Sequence, residues 1–185
     1  VVLNKDEQFY DKRHLVPFGE YTPFKKIFSY IADTLNMPMS NLSHGDLNQK
    51  PFLINNITVH PLICYEIAYP SLINITSDYS VIINVSNDSW FGNTFAPHQH
   101  LQIAQVRALE TAHPIIRAAN TGISAIIDKN GLIVKEISLD TEGLISGEVY
   151  PSKGISPYMY FGDYPVLMLI FSIMLFYWKC YRKYE

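Results

Sequence analysis

From Tyr164 to Trp178 the chain reads "YPVLMLIFSIMLFYW", with no charge and with Ser172 as its one strongly polar side chain. A helix of that length rises about 22 Å at ~1.5 Å per residue, against a hydrocarbon core about 30 Å thick. Adding "MYFG" upstream brings the run close to a full span and places Asp163 inside it. Tyr and Trp at its ends suit the interfacial belts of a bilayer. The following "KCYRKYE" carries Lys179, Arg182 and Lys183. By the positive-inside tendency this end is cytoplasmic and residues 1–160 lie on the outer side. A buried core helix of a soluble protein is the competing reading, and the aromatic flanks and basic cluster weigh against it. We therefore expect a membrane helix with a short basic tail over 159–185, which keeps Cys180 from pairing with Cys64.

The rest of the chain must supply a folded body. Of 185 residues, 48% are hydrophobic and 17% charged, which excludes a disordered or collagen-like chain. The net charge of −3 offers no polybasic footprint for nucleic acid. Two cysteines make neither a disulfide framework nor a four-ligand zinc cluster. The first residue is Val1, and no charged segment leading into an apolar one marks a signal peptide. The expectation is the C-terminal part of a longer chain.

Element by element, the body reads as mixed α/β. "TPFKKIFSYIADTLNMP" opens with Thr22 as N-cap and Pro23 at the first helical position. Phe24, Ile27, Phe28, Ile31 and Leu35 then form one helical stripe, either core-facing or, with Lys25 and Lys26 beside it, membrane-proximal. "ITVHPLIC" reads as an irregular strand because of Pro61, and "YSVIINVS" as a buried one. "PHQHLQIAQVRALETA" reads as a helix with Leu101, Ala104 and Ala108 on one side. "PIIRAAN", "ISAIID" and "LIVKEI" are short β-rich runs, the last two joined by an Asn130-Gly131 hairpin turn. "GLISGEV" is expected to be a last strand. A compact α/β domain over 1–158 followed by one transmembrane helix fits this order.

Few residues in this frame offer chemistry. Cys64 ends an apolar run, where a sharp turn can present a nucleophile; it also fits an inert core thiol. A free thiol has a pKa of ~8.5 and needs a cation or a base to react. Lys12, in "YDKRHLVPFGEY", is either such a helper or a solvated surface lysine. Glu20 follows Gly19 in an aromatic stretch and is either partly buried or a plain terminal charge. His98 and His100 raise metal binding and Cys–His catalysis, but at i, i+2 they do not share a helix face, no metal-spaced cluster accompanies them, and no local cysteine-protease signature supports a pair with Cys64. Trp90 and Phe91 follow the loop formers Asn87, Asp88 and Ser89, as a pocket wall, a lipid contact or a cap on the core. Arg107 and Glu110 sit at i, i+3 and can pair on the helix; Arg107 or Arg117 can equally anchor a buried carboxylate, and the sequence alone does not decide.

In this order, "YDKRHLVPFGEYTPF", "ICYEIAYP", "NVSNDSWFGN", "PHQHLQIAQVRALE", "IRAANTGISAIIDKNG" and "GDYP" resemble the apolipoprotein N-acyltransferases, a membrane-embedded branch of the nitrilase superfamily. Together these stretches cover nearly the whole chain. The resemblance implies an αββα sandwich, incomplete here at its N-terminus, on the periplasmic side of a bacterial inner membrane. It implies a Glu–Lys–Cys triad with Cys64 as nucleophile and Lys12 as lysine. Glu20 would be an additional active-site glutamate, with Tyr65 and Glu66 the essential pair after the cysteine. The triad's base belongs upstream of Lys12, and Glu7 lacks the family's Pro-Glu context. The implied reaction moves a fatty acyl group from a phospholipid, through a Cys64 thioester, to the α-amine of a diacylglyceryl-cysteine on an apolipoprotein. Phe18, Tyr21, Trp90 and Phe91 would contact lipid, and no cofactor or metal is called for. The alternatives are a membrane-anchored amidase and a non-catalytic binding domain lacking the base.

Overall fold

The computed structural model describes residues 8–17, 19–21, 42–75, 78–92 and 94–182. The expected helix over 22–35, Phe18 and Glu7 lie outside them.

A single six-stranded mixed sheet forms the centre, with strands in chain order: β1 (Phe52–Ile54), β2 (Ile57–Ile63), β3 (Ser80–Asn87), β4 (Ile115–Asn120), β5 (Ser124–Ile127) and β6 (Ile133–Ile137). The pairs β2–β3 and β3–β4 are parallel, and the outer pairs are antiparallel. Asn55 and Asn56 both have positive φ, at 47° and 65°, so β1 and β2 join through the tight turn that two such residues favour. That hairpin was not expected from the sequence. Pro61 is tolerated because β1 pairs no further along β2 than Val59, so beyond it no described strand calls for the missing N–H.

The helix α1 (Ala96–Thr111) makes the crossover between β3 and β4. It buries Leu101, Ala104 and Ala108, the stripe expected from the sequence, against Leu62, Ile82, Ile115, Ile123 and Ile127 of the sheet face. The two alanines let helix and sheet approach closely. Tyr10, Phe52, Val59 and Val81 form a smaller cluster. Because β2, β3 and β4 run parallel, their C-terminal ends gather at one edge, the usual place for a site in an open α/β sheet.

"GLISGEV" is not a strand. Leu144 is almost fully exposed, and that backbone meets no ladder partner among the described residues. The chain rejoins the sheet only at Ser152, which exchanges two backbone bonds with Ser80 at 2.8 and 3.2 Å. A short helix α2 (Pro157–Phe161), capped by Ser156, precedes α3 (Tyr164–Tyr181). Helix α3 has 18 residues and a mean hydropathy of 1.4, and none of it is buried against the body. It is long and apolar enough to cross a membrane, and it is not buried among the described residues.

Candidate functional site

Strand β2 ends at Ile63, and Cys64 turns sharply out of it with φ of 55° to open a 3-10 helix, Cys64–Ala68. A non-glycine residue in the left-handed region costs about 1–3 kcal/mol and persists only where its surroundings impose it. Two groups do so here. Asn84 Nδ2 donates to the carbonyls of Leu62 and Cys64 at 3.3 and 3.2 Å. Glu66 reaches back to accept the N–H of Ile63 at 2.7 Å.

Glu66 is fully buried, and four donors meet its two oxygens. Oε2 takes the Ile63 N–H and the Tyr10 hydroxyl, at 2.7 and 2.9 Å. Oε1 takes the backbone N–H groups of Arg13 and His14, at 2.6 and 3.0 Å. Donors alone surround it, which suits an ionised carboxylate, an acceptor at every lone pair. Burial, together with the Glu66 charge, pushes the Tyr10 hydroxyl above the usual phenol range. One carboxylate thus ties the residue before Cys64 to the two residues after Lys12.

Lys12 Nζ lies 2.5 Å from Glu20 Oε1, both side chains being mostly buried. The other Glu20 oxygen accepts the Val16 N–H at 2.8 Å, and the Glu20 N–H returns to the Val16 carbonyl at 2.9 Å. Val16 and Glu20 are therefore closed on each other by two bonds, and the Glu20 carboxylate is offered to Lys12. Glu20 is neither a plain terminal charge nor remote from the lysine.

A second buried network lies behind the cysteine. Arg117 Nη1 donates to Asn84 Oδ1, and Nη2 pairs with Asp88 Oδ2 at 2.7 Å. Asp88 Oδ1 accepts from Ser86 Oγ at 2.6 Å and meets His100 Nδ1 at 3.0 Å. Burial raises the Asp88 carboxyl, but the bonds from His100 and Ser86 and the Arg117 charge outweigh it and hold the group below the ordinary carboxylate range. His100 Nε2 has no hydrogen-bond partner among the described residues. The loop former Asp88 is thus a buried anion, and of the two arginines that could anchor a buried carboxylate it is Arg117 that does so here. Arg107 pairs with Glu110, as expected at i, i+3, and also donates to the carbonyls of Ile67 and Ala68 at 3.1 and 3.2 Å, fixing the far end of the 3-10 helix to α1.

Around this core stands an aromatic rim. Tyr65 is half-exposed, its ring 6.0 Å from His100 and 5.9 Å from Tyr69. Phe91 packs edge-on to His100 at 6.1 Å, whereas Trp90 is 76% exposed. Tyr21 lines a groove of about 450 Å³ with Arg13, His14 and Leu42. His98 is exposed, away from its neighbour His100. Among the described residues no cluster of three or more His, Cys, Asp or Glu is placed to hold a metal ion.

A family model described as carbon-nitrogen hydrolase matches residues 1–155. The chain belongs to the carbon-nitrogen hydrolase family. Among its relatives, the apolipoprotein N-acyltransferase of Photobacterium profundum is 40% identical over 85% of this chain and 31% of its own length. Those of Nitrosomonas europaea and Coxiella burnetii are 42% and 43% identical, over 91% and 95% of this chain and 34% and 36% of theirs. The chain thus spans about a third of the length of these relatives. A carbon-nitrogen hydrolase from Helicobacter pylori G27 overlays 52% of this chain and 42% of its own, at 16% identity and a TM-score of 0.45.

In this carbon-nitrogen hydrolase chain the residues expected at the site fall into two groups. Lys12 with Glu20, and Cys64 with Tyr65 and Glu66, are joined through Glu66. Asn84 was not expected there, nor was the joining of Asp88, His100 and Arg117 into one network. Their signal was present as an asparagine and an arginine, each inside an otherwise apolar strand pattern, where a polar group must find a partner.

Proposed function

We propose that this chain is the catalytic part of a membrane-bound apolipoprotein N-acyltransferase. Residues 1–158 form the nitrilase-like domain on the periplasmic side, and 159–185 its membrane helix and cytoplasmic tail. The observation that carries the reading is the Glu66 staple, which sets the Lys12 segment against the Cys64 turn. The relatives named apolipoprotein N-acyltransferase and the exposed apolar helix support the choice of substrates over a small amide.

In the first step the Cys64 thiolate attacks the ester carbonyl of a phospholipid. The carbon–oxygen bond to the glycerol breaks, a thioester forms, and the lysophospholipid leaves with the proton that the base took from the thiol. In the second step the α-amine of a diacylglyceryl-cysteine attacks the thioester. The carbon–sulfur bond breaks, an amide forms, and the amine proton returns to the thiolate through the base. Lys12, held by Glu20, stabilises the oxyanion at both tetrahedral stages. The base is the glutamate expected upstream of Lys12. Tyr65 shapes the entrance beside the thiol. Phe18, Tyr21, Trp90 and Phe91 contact the lipid chains, and the reaction needs no cofactor.

The test uses the protein expressed from its complete gene, in membranes containing radiolabelled phospholipid. The parent is expected to accumulate a hydroxylamine-labile acyl adduct that an apolipoprotein acceptor discharges, and Cys64→Ala to accumulate none. Retention of the adduct by Cys64→Ala overturns the reading.

A further inference from the structure

The polar row behind Cys64 has a direction. Leu62, Asn84 and Arg117 are register partners on β2, β3 and β4. A guanidinium carries donors only, so Arg117 Nη1 on Asn84 Oδ1 fixes which way round that amide lies. Its nitrogen must then face β2, where it donates to Leu62 and Cys64. Arg117 is itself held by the Ile123 carbonyl at 3.2 Å and by Asp88. Asp88 is fixed by Ser86 and His100.

Burying such a set is costly, and apolar side chains of similar volume would fill the same space at no electrostatic expense. Asn84, Asp88, His100 and Arg117 are nonetheless all buried. What sets this row apart from core filling is its last bond, which ends on the carbonyl of a residue in the left-handed region.

We propose that Asn84 and Arg117 are positioning residues for the Cys64 thiol. Arg117 orients the Asn84 amide, and the amide holds the two carbonyls flanking Ile63 so that Cys64 keeps its strained turn. The inference rests on Cys64 being the reacting thiol.

Asn84→Asp tests it in the protein expressed from its complete gene. The substituent has nearly the same shape and still accepts from Arg117, but an ionised carboxylate offers no donor to the carbonyls of Leu62 and Cys64. Cys180, exposed on the tail helix, is an internal reference for thiol labelling. The ratio of Cys64 to Cys180 alkylation by iodoacetamide is expected to fall about tenfold. The kcat for thioester formation should fall about 10–100-fold, with KM for phospholipid within about twofold, as for a small misplacement of a reacting group. Arg117→Lys keeps a cation beside Asp88 but loses the fork that reaches Asn84, and a smaller fall in the same direction is expected. It carries the test should Asn84→Asp not accumulate. A folded variant whose labelling ratio is unchanged or raised overturns the proposal. That readout needs no acyl donor, so it separates failure of this inference from failure of the acyltransferase reading, which Cys64→Ala decides.

Discussion

The Glu66 carboxylate accepts the backbone N–H of Arg13 at 2.6 Å, across 53 residues of sequence. With the bonds from Ile63, His14 and Tyr10 it joins two segments that β1 and β2 alone would leave apart. The Lys12 loop also reaches the segment after Cys64 through Arg13 Nη2 on the Leu72 carbonyl at 2.7 Å, but among the described residues Glu66 is the side chain that bonds the residue before Cys64.

Glu66→Gln therefore tests the staple. The amide keeps the shape but turns an NH2 toward backbone donors, leaving at least one of them unsatisfied. A buried donor without a partner costs about 1–3 kcal/mol. The expected outcome is a lower melting temperature in detergent, with earlier proteolysis between residues 8 and 16 than elsewhere. Unchanged melting and cleavage would show that the staple is not a determinant of that loop.

Glu20→Gln separates positioning from stability. The Lys12–Glu20 pair is mostly buried, so its loss counts for more than that of an exposed ion pair. The single amide oxygen accepts from Lys12 or from Val16 but not from both in place, so melting should fall by the equivalent of about 1–3 kcal/mol. Thioester formation, read at a temperature where the variant stays folded, should slow by about tenfold or more, because Lys12 loses the anion that fixes its ammonium. An unchanged rate at that temperature would mark Glu20 as a structural residue.

Gly122→Ala tests the room kept for Asp88. A methyl group there would stand 2.3 Å from Asp88 Oδ2 and 2.9 Å from its Cβ. Asp88 is pinned by Arg117, Ser86 and His100, so it has nowhere to withdraw. Overpacking of this kind costs about 1–3 kcal/mol, to be read as a drop in melting temperature. A native melting temperature would mean that the Asp88 cluster yields.

These contrasts also mark what the sequence made legible. The helix α1 and strands β2 to β6 follow from apolar periodicity and from the Asn130-Gly131 turn, because those signals are local. "GLISGEV" carries apolar and β-branched residues that suit a strand, but composition does not supply a neighbour, and the segment lies exposed with Lys135 Nζ on its Ser146 carbonyl. β1 was missed because it spans only Phe52–Ile54. At the site, the expected residues could be picked out one by one. That Glu66 would bridge them depended on a loop folding back over many residues. That Asn84 and Arg117 are neighbours depended on strand register, which a single sequence does not contain. The cues were a buried strand carrying Asn84 and another carrying Arg117, each needing a partner.

Two of the buried histidines, His60 and His113, give a pH prediction. Burial, then the nearby His113 and Arg13 charges, lower the His60 pKa to about 4. Burial also lowers that of His113, against backbone carbonyl bonds that partly restore it. Lys50, Tyr10 and Arg13 line the same cavity as His60, and the Glu66 carboxylate lies beyond Tyr10, bonded to its hydroxyl. An unfolded chain takes up a proton on His60 as pH falls through ~6.5, whereas the folded chain resists until about 4. The unfolded state binds more protons in that window, so stability is full above it and is lost as pH falls. His60 alone accounts for about 3 kcal/mol of that loss, and His113 adds in the same direction. Asp88 acts in a lower window, since its depressed carboxyl keeps its contribution until pH falls below about 4. Melting temperature in detergent should therefore fall between pH 6.5 and 4, and His60→Gln should flatten that slope while leaving the steeper loss below it. Parallel curves for the two proteins would sink the assignment.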